Sequence, residues 1–351
     1  MTELGRSVLE LRVNHKFWVN AFQEAFATLT MASPGDVVCI VGPSRAGKSR
    51  LIHELKKQLE NGNSYESTGK LPVICVEAVN SGPNGAFSTK SFTMRMLEAV
   101  RHPLLSISEL DAASETARAK LERTTENTLR QILERALKHR GVYYLFIDEA
   151  QHVRYASKQS HAPCAVMDSW KCLAQTCGLV LVVVGAYPIL ELLQHSPHML
   201  GRKKQIHLQR YGTHPDDLVE FAKIIQAFER SLGEFVSSGF LLKHTQLLHE
   251  KTCGCIGLLK SWLKQTVTLA VVNKSQISLA MLEKSMMSDV DLIQISREIA
   301  EGENLLYSTP FKIGSQVPKK EAHPKIRAGK PFTRKPVRHA LGNRSGGGSK
   351  S

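Results

Sequence analysis

The run Val37-Val38-Cys39-Ile40-Val41 breaks into Gly42-Pro43-Ser44-Arg45-Ala46-Gly47-Lys48-Ser49, and a helical pattern begins at Arg50-Leu51-Ile52. A β-branched strand, a G-x-x-x-x-G-K-S loop and a helix in that order form a phosphate-binding P-loop in the context that gives the motif meaning. Backbone N–H groups of such a loop converge on one concavity, and the helix dipole adds partial positive charge there. Gly42 and Gly47 permit backbone conformations that a Cβ would hinder. Residues 42 to 50 are therefore expected to hold the phosphates of ATP. Lys48 is to reach the β- and γ-phosphates, and the Ser49 hydroxyl is to hold Mg²⁺.

Around that loop the apolar pattern alternates between strands and helices. An amphipathic lead-in over 6–31 carries Leu9, Val13, Phe17, Phe22, Phe26 and Leu29 near helical spacing. Further strands are predicted at 71–76, 142–147, 179–184 and, more weakly, 205–208, with helices between them at about 88–101, 115–140 and 163–176. From Pro215 onward only helical patterns follow, at about 215–230, 239–250, 256–273 and 278–287, fading beyond Tyr307. The expected architecture is α/β: a parallel five-stranded sheet with flanking helices, then a small all-helical lid and a basic disordered tail. In domain terms this is a lead-in (1–34), a nucleotide-binding domain (35–213), a lid (214–307) and a tail (308–351).

Charge is unevenly placed. The chain carries +14 overall, and ten of those net charges come from the segment after Thr309, with eleven Lys or Arg against the single Glu321. Such a tail favours a polyanion, most often nucleic acid. No apolar run is long enough to span a bilayer, and the first residues lack a basic and then apolar leader pattern. Seven scattered cysteines compose no C-x-x-C pair set. A cytoplasmic setting without membrane contact is expected.

The strand at 142–147 runs into Asp148-Glu149-Ala150-Gln151-His152. Asp148 is the expected acidic partner in the Mg²⁺ shell, and Glu149 the expected general base for an attacking water. Trp18, Trp170 and Trp262 fall in helical patterns as packing residues, and His152 reads as a structural hydrogen-bonding residue.

A strand after the Asp-Glu strand, then a helical lid, is the layout of the AAA+ class. Leu145-Phe-Ile-Asp-Glu-Ala-Gln-His152 resembles the I-D-E-A-Q-H segment of TniB/TnsC-type ATPases, which regulate DNA transposition in bacterial mobile elements. Asn80-Ser-Gly-Pro-Asn-Gly85, Thr252-Cys-Gly-Cys-Ile-Gly-Leu-Leu-Lys260 and Lys330-Pro-Phe-Thr-Arg-Lys-Pro-Val-Arg338 are similar to that family's polar loop, lid-helix start and basic tail. The resemblance implies an ATPase that oligomerises on double-stranded DNA as a ring or filament. It would link a TniQ-like target selector to the transposase and be disassembled by hydrolysis. It further implies Arg202 as a finger completing a neighbour's site and Lys260 as a lid residue at the γ-phosphate. The sequence departs from the AAA+ pattern after the fourth strand, where Ala186 stands in place of a polar γ-phosphate sensor. Tyr187 or Gln151 is the expected substitute, and slow hydrolysis the expected result. Ser88, Thr89, Lys90 and Arg95, at a predicted helix start, are candidate DNA-phosphate contacts. Two other readings stay open: an initiator- or loader-like AAA+ ATPase, and an ATP-binding signalling or scaffold switch.

Overall fold

In the computed structural model, residues 13–60, 65–103, 119, 123–156, 162–194 and 203–307 are described. Five strands, β1 (Val37–Val41), β2 (Val73–Glu77), β3 (Tyr144–Asp148), β4 (Val180–Gly185) and β5 (Lys203–His207), form one sheet in the order β2-β3-β4-β1-β5. Every neighbouring pair is parallel. β4 thus lies between β1, which leads into the P-loop, and β3, which ends in Asp148. Every residue of β1 and β4 is buried, as expected for strands covered on both faces.

Because side chains alternate along a strand, β1 feeds two cores. Val37, Cys39 and Val41 pack with Ile74, Leu145, Ile147, Leu181 and Val183 on one face. Val38 and Ile40 pack with Phe146, Val182 and Val184 on the other. The second face is covered by α1 (Lys16–Thr30), through Trp18, Ala21, Ala25 and Leu29, and by α2 (Lys48–Glu60), through Leu51, Ile52 and Leu55. Beyond α2 and the short helix α3 (Tyr65–Thr68), the first face is covered by α4 (Thr89–Ala99), α5 (Glu126–Arg140) and α6 (Ala162–Cys177). Each fully buried Leu, Ile, Val or Phe in these layers contributes about 1.5–3 kcal/mol over leaving it exposed. α5 illustrates the local causes. Leu129, Leu133 and Leu137 recur at i, i+4 and i+8 and are all buried, Thr125 caps the N-terminus through Thr128 N–H at 3.3 Å, and Gly141 closes the end at φ 65.

After the short helix α7 (Ile189–Gln194) and β5 the chain is helical: α8 (Pro215–Leu232), α9 (Phe240–Lys243), α10 (Thr245–Glu250), α11 (Ile256–Asn273), α12 (Leu279–Lys284) and α13 (Asp289–Tyr307). Phe221, Ile225, Phe228, Leu259, Trp262 and Leu263 form its own core. The helix expected over 239–250 is two short helices, and α13 runs for 19 residues to Tyr307, inside the expected helical region but beyond the last separate helix expected there. Val290 and Ile293 are exposed, 76% and 60%, so periodicity near its start does not point at a core. Of the expected lead-in, residues 6–12 lie outside the described residues, and the helix described begins at Lys16 with His15 as its N-cap. The expected basic tail, 308–351, lies outside the described residues. Among the described residues, no helix is long and apolar enough to cross a membrane.

Candidate functional site

The parallel register sets the site. Val41 lies opposite Gly185 on β4 and His207 on β5, and Glu77 lies opposite Asp148. The P-loop, the Asp-Glu pair and the β4 exit therefore meet along the carboxyl ends of the strands, where open α/β sheets bind ligands. Within the loop, Arg45 and Gly47 have positive φ, 61 and 100. A Cβ on Gly42 would come within 2.5 Å of the Leu208 carbonyl, so the loop packs this closely on the chain after β5 only as glycine.

Lys48 is buried at 6% exposure, and its ammonium donates to the carbonyls of Gly42 at 3.0 Å and Pro43 at 2.9 Å. Burial pushes its pKa down, while the carboxylates of Glu149, Asp148 and Glu298 oppose that shift. The Ser49 hydroxyl donates to Asp148 Oδ2 at 3.0 Å, and the Glu149 backbone N–H donates to Asp148 Oδ1 at 2.8 Å. Burial raises the Asp148 pKa, and both hydrogen bonds work against the rise. A hydroxyl and a carboxylate oxygen at this spacing are hard oxygen donors of the kind Mg²⁺ takes, with waters and phosphates filling the rest of its octahedron. Ser49 and Asp148 thus fit the ion.

Glu149 has φ 53 and ψ 32, a left-handed conformation uncommon for a residue with a Cβ. It starts a tight turn over Ala150–Tyr155. In that turn Gln151 Nε2 donates to Glu149 Oε2, and Gln151 Oε1 accepts from the Ala186 backbone N–H at 3.1 Å. His152 Nδ1 pairs with the Ala78 carbonyl at 2.8 Å, and Ala78 N–H donates to the Asp148 carbonyl at 2.8 Å, so the β2 and β3 exits are laced together. Tyr187 is 1% exposed, and its hydroxyl pairs with His207 Nε2 at 2.9 Å.

Beside the loop lies a cleft of about 370 Å³ lined by His15, Trp18, Gly47, Arg50, Gly257 and Lys260 among others. The Arg50 guanidinium stacks over Trp18 at 4.4 Å from the ring centre and donates to the Val13 carbonyl. Among the described residues the buried Trp18 indole N–H has no hydrogen-bond partner, a cost of about 1–3 kcal/mol that a ligand acceptor removes. The helical wall meets the loop directly: a Cβ on Gly257 would lie 1.9 Å from the Arg45 carbonyl, and Arg45 Nη1 reaches Ser261 Oγ at 3.5 Å.

α13 closes the other side. Ser44 Oγ reaches Glu298 Oε1 at 3.5 Å, Arg210 pairs with both Glu303 oxygens at 2.8 and 2.9 Å, and His207 Nδ1 pairs with the Tyr307 hydroxyl at 3.0 Å. Glu298, Glu303, His15 and Trp18 were not singled out as site residues from the sequence, because only the tertiary fold brings them to the loop. Of the sequence-predicted residues, Arg202 lies outside the described residues. Ser88 caps α4, its hydroxyl accepting from Ser91 N–H at 3.2 Å, so that oxygen is engaged inside the protein. Thr89, Lys90 and Arg95 lie on α4 itself, which packs on the sheet face opposite the one that α2 covers.

The strand order, the P-loop and the helical C-terminal region define a P-loop AAA+ fold. Residues 32–193 match the family described as an AAA domain. No curated protein matches the chain by sequence. Among solved structures, the chain is similar to the Walker-type ATPase PABY2304 of Pyrococcus abyssi, with TM-score 0.51 at 15% identity over 86% of this chain and 80% of that one. It is also similar to the ORC2 protein of Aeropyrum pernix in its ADPNP–ADP complexes, with TM-score 0.53 at 14% identity over 80% of this chain and 71% of that one. At these identities the likeness is one of fold.

Proposed function

We propose that this protein is a Mg²⁺-dependent ATPase that works as an oligomer on duplex DNA. The observation that carries the ATPase reading is the Ser49–Asp148 hydrogen bond at 3.0 Å, with Glu149 next in the chain and Lys48 buried in the facing loop. Ser49 and Asp148 would hold Mg²⁺, which would supply neutralisation of the phosphate charge. Lys48 exchanges its two neutral carbonyl partners for those phosphates, a stronger charge-assisted pairing. Glu149 accepts a proton from water as the water oxygen bonds to the γ-phosphorus and the bond to the ADP oxygen breaks. Trp18 and Arg50 line the cleft beside Gly47, where a base and ribose fit. Ala186 offers no side-chain hydrogen-bonding group, which supports slow turnover.

Support for DNA as the partner comes from the +14 net charge and its concentration in the last residues. Thr89, Lys90 and Arg95 on α4 are the proposed phosphate contacts, with Ser88 acting through its cap. The finer reading rests on the resemblance of Leu145–His152, Asn80–Gly85 and Thr252–Lys260 to TniB/TnsC-type ATPases: a bacterial, cytoplasmic transposition regulator with a transposase and a TniQ-like selector as partners. In it Arg202 completes the neighbouring subunit's site and Lys260 touches the γ-phosphate from the lid. An initiator- or loader-like ATPase is the second reading, supported by the fold shared with the Aeropyrum pernix ORC2 protein.

The test is phosphate release together with electron microscopy of the full chain on plasmid-length duplex DNA. Phosphate release lost in Lys48→Ala, with rings or filaments on DNA only when ATP or a non-hydrolysable analogue is present, is the expected result. No phosphate release overturns the ATPase reading, and a nucleotide-bound monomer indifferent to DNA overturns the DNA reading. Assembly on DNA that ignores a transposase leaves the initiator-like reading in place.

A further inference from the structure

The β3 and β4 exits are joined by one side-chain amide. Gln151 spans from the Glu149 carboxylate to the main chain of Ala186. Its orientation is dictated by its partners. The Ala186 N–H is a donor and must face the amide oxygen, which leaves the NH₂ group for the carboxylate, a pure acceptor when ionised. The neighbouring glycine makes the room: a Cβ on Gly185 would stand 2.5 Å from Gln151 Oε1. Gly185 has an ordinary strand backbone, since it is absent from the positive-φ glycines, so the amide and not a turn explains its need for a missing side chain.

Two residues were expected to replace the missing polar group at Ala186. Tyr187 is committed elsewhere, buried with its hydroxyl on His207. Gln151 is at the right place, and it holds the residue that has to receive the proton. The turn at Glu149 adds to the argument. A glutamate at φ 53 costs of order 1 kcal/mol or more unless its surroundings hold it there, and the Gln151 amide together with the Glu149 N–H bond to Asp148 supplies that hold.

We propose that Gln151, seated against Gly185, is a positioning residue that fixes the Glu149 carboxylate for proton abstraction and ties its position to the β4 exit. The proposal rests on the ATPase reading above. A general base contributes about 10²–10⁴-fold when correctly placed, and a displacement of about 1 Å can remove 10²-fold of rate. Losing the Gln151 amide therefore affects turnover and leaves nucleotide binding, which is carried by the P-loop, nearly untouched.

The experiment compares wild type, Gln151→Ala, Gln151→Asn, Gly185→Ala, Glu149→Gln and the Glu149→Gln/Gln151→Ala double variant, all as full chains. Three readouts are phosphate release, affinity for a fluorescent ATP analogue, and the side-chain amide resonance of Gln151 in ¹⁵N NMR without nucleotide. Gln151→Ala is expected to lower kcat about ten- to hundredfold with KM and analogue affinity changed less than about twofold. Gln151→Asn, one methylene too short to span both partners, behaves like Gln151→Ala. The double variant is no slower than Glu149→Gln alone, because the two residues act as one unit. The Gln151 amide resonance shifts in Glu149→Gln and in Gly185→Ala. An unchanged or raised kcat in Gln151→Ala, a loss confined to KM, or an amide resonance indifferent to Glu149→Gln overturns the positioning role. Should Gly185→Ala not fold, the Gln151 and Glu149 variants decide alone. Wild type that binds the analogue yet releases no phosphate overturns the ATPase reading and this role together, whereas a hydrolysing wild type with an indifferent Gln151→Ala overturns this role only.

Discussion

The two walls of the nucleotide cleft are held by different physics. On the α/β wall, Lys48, Ser49, Asp148 and Glu149 hang from strand ends whose register is set by main-chain ladders between wholly buried strands. On the helical wall, α11 and α13 are placed by side-chain contacts: Leu258 and Ile299 in the core on the first face of the sheet, Gly257 against the Arg45 carbonyl, Gly302 against the Tyr187 ring, the Arg210–Glu303 pair, and His207 between two tyrosines. Main-chain pairing positions groups with little dependence on any one side chain. Side-chain contacts do so residue by residue, so the helical wall can be loosened piecemeal while the α/β wall cannot.

The sharpest way to break that contrast is Lys48→Ala. If the α/β wall carries the phosphates, nucleotide affinity falls at least about 100-fold, roughly 3 kcal/mol by the usual conversion, while the melting temperature of the nucleotide-free protein changes little. Calorimetric titration checks the first and thermal scanning the second. Next in size is Gly302→Ala. A Cβ there would stand 2.0 Å from the Tyr187 ring, so α13 or the ring must move, and overpacking of this kind costs about 1–3 kcal/mol. Urea unfolding reads that loss. A loss with the affinity for ATP unchanged would show that the helical wall stabilises without shaping the site.

Arg210→Gln probes the same wall through charge. Both partners are partly buried, about a quarter exposed, and the contact is bidentate at 2.8 and 2.9 Å. Removing it leaves Glu303 with weaker partners and costs about 1–2 kcal/mol in urea unfolding. The variant Arg210→Gln/Glu303→Gln recovers part of the loss, since no charge then remains uncompensated.

Acid tests both walls at once. Burial holds His15 and His207 down to about 4, so both are neutral in the fold. In neutral His207 one ring nitrogen donates and the other accepts, which suits the two tyrosine hydroxyls it meets. The unfolded chain binds protons near the ordinary value of 6.5 and the folded chain only near 4. Stability is therefore level above pH 6.5 and falls as pH drops from 6.5 toward 4. Unfolding midpoints measured between pH 7.5 and 4.5 show this slope, and His207→Gln flattens it.

Much of the α/β wall was legible in the sequence, and the reasons are physical. The P-loop is contiguous, buried parallel strands read as unbroken apolar runs, and Asp148 and Glu149 follow such a run directly. Residues that act through tertiary approach left no such trace. Glu298 and Glu303 sit on α13, whose exposed Val290 and Ile293 blur the helical pattern, and no spacing rule joins residue 298 to residue 44. His15 pairs with the Tyr211 hydroxyl across 196 residues. The gap at Ala186 was visible as a missing polar group, but no sequence signal told that the Tyr187 hydroxyl pairs with His207 while Gln151 reaches the Ala186 main chain.

The smallest effect is the most discriminating. Glu298 places a carboxylate 3.5 Å from Ser44 Oγ and opposes the burial effect on Lys48, so α13 brings negative charge to the mouth of a phosphate site. At a half-buried position open to water on one side such a charge acts on a phosphate with about 0.3–0.5 kcal/mol. Glu298→Gln should therefore tighten ATP binding about twofold at low salt, and the gain should vanish near 0.5 M salt, where the screening length is only a few ångströms. AMP, which lacks the β- and γ-phosphates, should bind the variant and the wild type alike. A gain that persists at high salt or extends to AMP would mean that α13 acts on the site by shape, and the helical wall would then owe its influence to packing and not to charge.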